Sequence, residues 1–352
     1  MRTPARRNVD FQTILDALID IDAPFSPAYL QRFSDLNPKD LREFKNAWPV
    51  VDPNRRVTFL EDLVETAEVD DLMSFDAIGW FLLEDSHGPV RALAIRLVWA
   101  SQETRLVPVL LKMMETDADA EVRYTAATGL GVYVYLGEIE EIPGDMLKRI
   151  EEALLKTVKA NPDAQLRRKA LEALGFSSRP EVSDLIKNAY ASGENEWLES
   201  SLIAMGRSSD EAWGNTVFSN LDHPVDSVRY EAIRAAGELQ FAPARQYLLD
   251  KIDEYDDEDL RIAAIWTLSQ IGGEGVREFL EDLLENSEDD DEIDFLQEAL
   301  ENLNLTEDLA SFNLLDIDAD EKDGEADTHD HHQGDGGHQH GKKSGGKKDR
   351  SN

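Results

Sequence analysis

The sequence contains no cysteine, which excludes disulfides, thiolate metal sites and thiol catalysis together. No apolar run approaches the length that a membrane span requires. The opening Met1-Arg-Thr-Pro-Ala-Arg-Arg7 is basic, but Asp10 and an amphipathic stretch follow where a secretory signal needs an apolar segment. The expectation is therefore no signal peptide and a cytoplasmic location. Positive charge is scarce as well: 36 Lys plus Arg stand against 73 Asp plus Glu, a net charge of −37. Binding of phosphate backbones depends on basic patches that release counterions, so nucleic acid and anionic membrane are disfavoured partners. Protein partners with basic surfaces are favoured electrostatically.

Catalytic hardware is thin. Only two of the seven histidines, His87 and His223, lie before the last 37 residues. No Gly-rich phosphate loop and no Gly-x-Ser-x-Gly elbow is present. Among so many carboxylates neighbouring acids occur by chance, so no pair is assigned an acid/base role. The sequence offers no catalytic residue and no cofactor site.

What the chain does have is a phrase that returns: acid-x-x-[Val/Leu]-Arg-x-x-Ala, running on to a small residue and Gly. It reads Asp119-Ala-Glu-Val-Arg123 to Gly131, Asp163-Ala-Gln-Leu-Arg167 to Gly175, and Val228-Arg229 to Gly237. Taking the Arg as anchor, Arg91, Arg123, Arg167, Leu198, Arg229, Arg261 and Ile293 are spaced 32, 44, 31, 31, 32 and 32 residues apart. A period in this range marks a stacked helical array. The one long gap contains Tyr133 to Gly144 and predicts a loop insertion between the two helices of one repeat. Within a unit, Leu166, Ala170 and Leu174 form one helical face, and Val182, Leu185, Ile186 and Ala189 form a second after a Pro or Gly break. Each repeat is thus a helical hairpin whose exposed apolar stripe requires neighbours. Asp119, Asp163 and Asp257 are expected to cap first helices. Pro180 and Pro243 should open second helices, and Gly131, Gly175, Gly206 and Gly237 should end first ones.

On these residues, positions 85 to 303 resemble HEAT repeats, of the bacterial phycobilisome-lyase-like type. The resemblance implies a right-handed α-solenoid in which recurring acids and arginines make a ladder between repeats: Asp119, Arg123, Asp163, Arg167, Asp257, Arg261 and, by position, Arg91 and Arg229. Leu198 and Ile293 depart from the pattern, so the ladder should break there. It also suggests protein-interaction scaffolding, with a lyase-like or chaperone-like part in attaching a bilin-type cofactor as the alternative. The di-iron hydroxylases of this repeat class need His-Glu pairs, and no His-Glu dipeptide occurs here. His87 and His223 are about four repeats apart, on the order of 30–40 Å at 8–10 Å per helix layer, and cannot share a site.

The organisation expected is all-α: residues 1–84 a helical N-terminal cap with diverged repeats, 85–315 the solenoid, and 316–352 a disordered acidic, His-rich and Lys-rich tail. A degenerate hairpin anchored near Arg56 falls within the cap. The tail holds the only candidate metal ligands, His329, His331, His332, His338 and His340, able to chelate a borderline cation. Asp316, Asp318 and Asp320 have calcium-loop spacing but lack the turn glycine and the closing glutamate. Trp80, Trp99, Trp197, Trp213 and Trp266 fall at apolar helix positions and are expected to fill the core. Tyr133 and Tyr135 add aromatic surface outside the repeat register. The partner groove is expected along the second helices, Pro180 to Ala191, Ala242 to Asp253 and Glu274 to Asn286.

Overall fold

The computed structural model describes residues 9–70 and 72–325, with side chains through 309. Among these residues there is no strand. Two helices, α1 (Phe11–Ile19) and α2 (Pro38–Ala47), precede seven hairpins. The hairpins are α3 (Pro53–Val69) with α4 (Asp76–Leu82), α5 (Gly88–Trp99) with α6 (Val107–Thr116), and α7 (Ala120–Glu138) with α8 (Gly144–Ala160). They continue as α9 (Ala164–Leu174) with α10 (Pro180–Tyr190), α11 (Asn195–Arg207) with α12 (Gly214–Phe218), α13 (Asp226–Glu238) with α14 (Pro243–Lys251), and α15 (Glu258–Ile271) with α16 (Val276–Asn286). A last helix, α17, spans Asp290–Glu325.

Residues through Leu303 form one compact unit and Asn304 onward a second. The helical backbone of α17 continues past the composition change at 316, where no proline or glycine intervenes before Gly324. The calcium-like spacing at Asp316 therefore lies on helix, not in a loop.

Local chemistry sets the helix starts. Asp119 accepts from the Glu121 N–H, Asp163 from Leu166, and Asp257 from Asp259 and Leu260; a cap of this kind contributes about 1 kcal/mol. Prolines occupy the first turns of α6, α10 and α14, where an N–H has no intrahelical partner to lose. The apolar stripes Leu166, Ala170, Leu174 and Val182, Ile186, Ala189 are buried as their spacing requires. One continuous apolar ribbon runs from Phe11 to Leu303. Its N-terminal end is closed by aromatics: the Phe33 ring meets Phe11, Phe44 and Phe59 edge-on at 5.4, 5.9 and 4.8 Å.

The acid–arginine ladder exists, in a register of its own. Arg91 donates from Nε to Asp117 at 2.9 Å and from Nη1 to the Asp85 carbonyl at 2.8 Å. Arg123 repeats this with Asp163 (3.3 Å) and the Asp117 carbonyl (3.0 Å). Each arginine thus ties the turn before its own helix to the turn before the next. Arg56 opens the series toward Asp85 at 3.5 Å, and Asp85 also accepts from Trp48 Nε1 at 2.7 Å. The hairpin at Arg56 is therefore joined to the next by the same link. At Leu198 the ladder breaks as expected, and the preceding Arg167 stacks over Trp197 at 5.4 Å instead of meeting an acid. Arg229 pairs within its own helix, with Asp226. Arg261 reaches Glu292 at 3.3 Å, so a cross-repeat link persists beside Ile293.

Two expectations about local structure are corrected. The twelve extra residues do not loop out. They lengthen α7 to 19 residues and α8 to 17, because nothing between Gly131 and Glu138 ends the helix and Tyr133, Val134 and Leu136 find burial there. The motif glycines are packing positions, not helix terminators. A Cβ on Gly175 would lie 2.8 Å from the Ala204 Cα, and one on Gly206 would lie 3.0 Å from the Ala235 Cα. Gly175 caps α9 with right-handed backbone and Gly206 and Gly237 lie one residue inside the ends of α11 and α13, whereas Gly131 is in the middle of α7. Most first helices end instead on left-handed residues that are not these glycines: Gln102, Glu140, Ser209 and Gln240, with φ of 54, 63, 52 and 48°, and Gly272 at 61°.

Candidate functional site

The close crossings at Gly175 and Gly206 bring successive first helices together, from α7 through α15, while second helices pack mainly against the first helix of the following hairpin and hardly meet one another. A row of helices more tightly spaced on one side than the other curves toward the tighter side. The first helices therefore line the inner face, and α10, α14 and α16 lie outside, which corrects the expected groove. The cause is residue size: glycine and alanine at the first-helix crossings allow an approach that the second helices lack.

Each first helix shows the inner face the positions five and nine residues after its Arg slot. The nine-residue positions are Ala100, Val132, Phe176, Arg207, Glu238 and Gln270. Two chemically distinct patches result.

Toward the N-terminal side, Trp99, Thr128, Val132, Tyr135, Phe176 and Arg207 line a cleft of about 500 Å³ with Gly131 in its floor. Tyr135 is 47% exposed and meets Phe176 edge-on at 5.6 Å. Arg207 lies over the Phe176 ring at 5.1 Å and donates from Nη1 to the Glu172 carbonyl at 2.9 Å. Burial holds the Arg207 guanidinium below its ordinary value against the pull of Glu238 and Glu172. Trp99, expected in the core, is a wall of this cleft. Trp266 is likewise half-buried, with its ring 6.4 Å from Phe295. Of the inserted tyrosines, Tyr135 provides aromatic surface, whereas Tyr133 is fully buried and donates to the Glu103 carbonyl at 3.0 Å.

On α13 the face becomes acidic. Glu231 and Glu238 share one cation, Arg234, at 3.4 and 3.7 Å. Burial, reinforced by Glu172 and Glu238, pushes the Glu231 carboxyl up to about 7, and burial also raises Glu238. Glu238 Oε2 is enclosed without a hydrogen-bond partner, tucked where a side chain at Gly206 would stand. The neighbouring Glu172 pairs with Lys169 at 2.8 Å and accepts from Ser200 at 2.7 Å. Another buried carboxylate, Glu151, is occupied by Ser177 and faces Arg179.

This face is built from tightly stacked hairpins whose links repeat every 31 or 32 residues outside the long α7–α8 unit, and residues 75–144 and 215–301 match the HEAT-repeat family. The chain carries HEAT repeats. Structures similar to this HEAT-repeat chain include YibA of E. coli, 15% identical, covering 80% of this chain and 97% of that one, with a TM-score of 0.39. The complex of CpcE and CpcF of phycocyanin lyase from Nostoc sp. PCC7120 is 21% identical, covering 65% and 94%, with a TM-score of 0.43. Human deoxyhypusine hydroxylase is 16% identical, covering 74% and 95%, with a TM-score of 0.33. No curated protein matches the chain.

His87 and His223 lie in the turns before α5 and α13, where the Val225 N–H donates to His223 Nδ1 at 3.2 Å. His329, His331, His332, His338 and His340 lie outside the described residues. Among the described residues no three His, Asp or Glu side chains are placed to hold a metal ion, and no helix is long and apolar enough to cross a membrane. The glycine-plus-one positions escaped sequence reasoning because they follow no apolar period. Their signal was contrast: varied Phe, Arg and Glu beside an unvarying small residue.

Proposed function

We propose that this chain is a non-catalytic protein-interaction scaffold whose working surface is the inner face of its first helices. The observation that supports this most directly is the open aromatic cleft of Trp99, Tyr135 and Phe176, placed where the HEAT stacking presents a continuous face. Large apolar side chains left in a concave surface are the usual mark of a binding site. A photo-crosslinking residue at Tyr135 or Val132 on the inner face, and at Lys187 on outer α10, tests this in lysate from the source cell. Discrete adducts from the inner positions alone are expected. Adducts from Lys187 with none from the inner pair would sink the proposal.

A second use of the same cleft is favoured by its three aromatic walls and by Arg207: a flat conjugated ligand bearing an acid group, as a cofactor-attachment subunit would hold. Visible absorbance co-purifying with the protein and lost in Tyr135→Ala would favour this use over peptide capture.

A further inference from the structure

Accepting the inner face as the working surface, we propose that its occupant is a peptide segment carrying an aromatic side chain and, five or six residues away, a lysine or arginine. The aromatic group sits between Trp99, Tyr135 and Phe176; the cation closes on Glu231 and Glu238.

The argument starts from what each patch lacks. The cleft has rings on its sides and, among the described residues, no apolar group filling it, so an inserted ring gains both burial and edge contacts. The α13 patch has two half-buried carboxylates and one arginine between them. Arg207 offsets only part of the deficit, since its flat face covers Phe176 and its Nη1 is given to the Glu172 carbonyl. The enclosed Oε2 of Glu238 is left as an acceptor without a donor. Burial, with Glu172 and Glu238 adding to it, keeps the Glu231 proton on to about pH 7. A partner cation would supply the missing donor and release that proton. Complementarity of sign agrees over the whole chain, at a net charge of −37.

Spacing fixes the register of the occupant. Phe176 lies just past the end of α9 and Glu238 ends α13, two first-helix steps apart. At about 8–10 Å per step this is on the order of 16–20 Å. An extended peptide advancing about 3.3 Å per residue covers it in five or six residues.

The test uses full-length protein and a fluorescein-labelled peptide of glycine and serine with one phenylalanine and, six residues on, two lysines. Anisotropy is read at about 0.15 M salt, where long-range attraction is largely screened. Tyr135→Ala, Glu238→Gln and a peptide lacking phenylalanine should each weaken binding about tenfold, roughly 1.4 kcal/mol. Glu281→Gln and Glu285→Gln on outer α16 should leave it unchanged, and a glutamate-for-lysine peptide should not bind. Equal loss in the inner and outer acid variants would mean diffuse attraction and overturn the proposal. So would tighter binding after Lys342, Lys343, Lys347 and Lys348 are all changed to Gln, which would make the chain's own tail the occupant. Tyr135 is half exposed, so Tyr135→Ser provides a folded variant should Glu238→Gln unfold. Crosslinking from Tyr135 without peptide binding would refute the partner chemistry alone; failure of both would refute the surface.

Discussion

Gly175 rests against Ala204 so closely that a methyl group on the first would stand 2.8 Å from the Cα of the second. The contact is backbone to backbone and cannot be relieved by a rotamer change. Gly175→Ala should therefore destabilise the chain by about 1–3 kcal/mol through overpacking. Gly144→Ala, where nothing lies within 4 Å, should be neutral or stabilising by up to about 1 kcal/mol. Urea denaturation of the two variants checks the contrast, and equal effects would refute the packing account.

Gln240 closes α13 with a φ of 48°. A side chain in that region costs roughly 1–2 kcal/mol. Gln240→Gly should raise stability by about 0.5–1 kcal/mol after the extra chain entropy of glycine is counted, and Gln240→Val should lower it. Thermal melts showing the opposite order would contradict the left-handed cap.

The Arg91–Asp117 pair is mostly buried, with side-chain exposures of 15% and 10%. Burial alone would raise the Asp117 carboxyl, but hydrogen bonds from Arg91 and the Asp119 N–H overcome it and hold the group below its ordinary value. The stability it contributes is present above the unfolded carboxylate value near 3.8 and is lost as pH falls through the lower folded value. Asp117→Asn should cost about 2–4 kcal/mol at pH 7 by stranding Arg91, with the difference from wild type shrinking below pH 4. A pH-independent difference would rule out the charge contribution.

Glu231 has the opposite sign. Its folded value of about 7 lies above the ordinary glutamate value of 4.5, so the native state holds the proton longer and loses stability as pH rises from about 4.5 to 7. Glu231→Gln should be nearly neutral at pH 4.5 and stabilising by on the order of 2 kcal/mol at pH 8. Guanidinium titrations at both pH values decide this, and a variant less stable at pH 8 would refute it.

Tyr133 is fully buried, and burial pushes its hydroxyl up to about 12, with Glu103 and Asp76 adding to the effect. Tyr133→Phe leaves the Glu103 carbonyl without its donor and should cost about 1–2 kcal/mol. No loss on equilibrium unfolding would mean that the extension of α7 is not structural.

Much of the architecture was legible because it rests on period and on one-residue chemistry. The 32-residue return of Arg91, Arg123, Arg229 and Arg261 set the hairpins, and Asp119, Asp163 and Asp257 cap where their position in the phrase requires. The inserted segment was misjudged because excess length was taken for loop. Helix-compatible residues instead extended both α7 and α8, supported in α7 by the burial of Tyr133 and Leu136. The glycines misled for a related reason. Glycine serves both to end helices and to let them touch, and the sequence does not distinguish the two uses.

By itself, then, the sequence determined that this chain builds paired helices in series, because capping and amphipathic spacing act within a few residues of their cause. Only the tertiary structure decided which helices face inward, and with that the meeting of Trp99, Tyr135, Phe176 and Arg207 and the crowding of Glu231 against Glu238 and Glu172. Those encounters depend on how closely one helix approaches the next, a distance set by residues some thirty positions apart and written in neither of them alone.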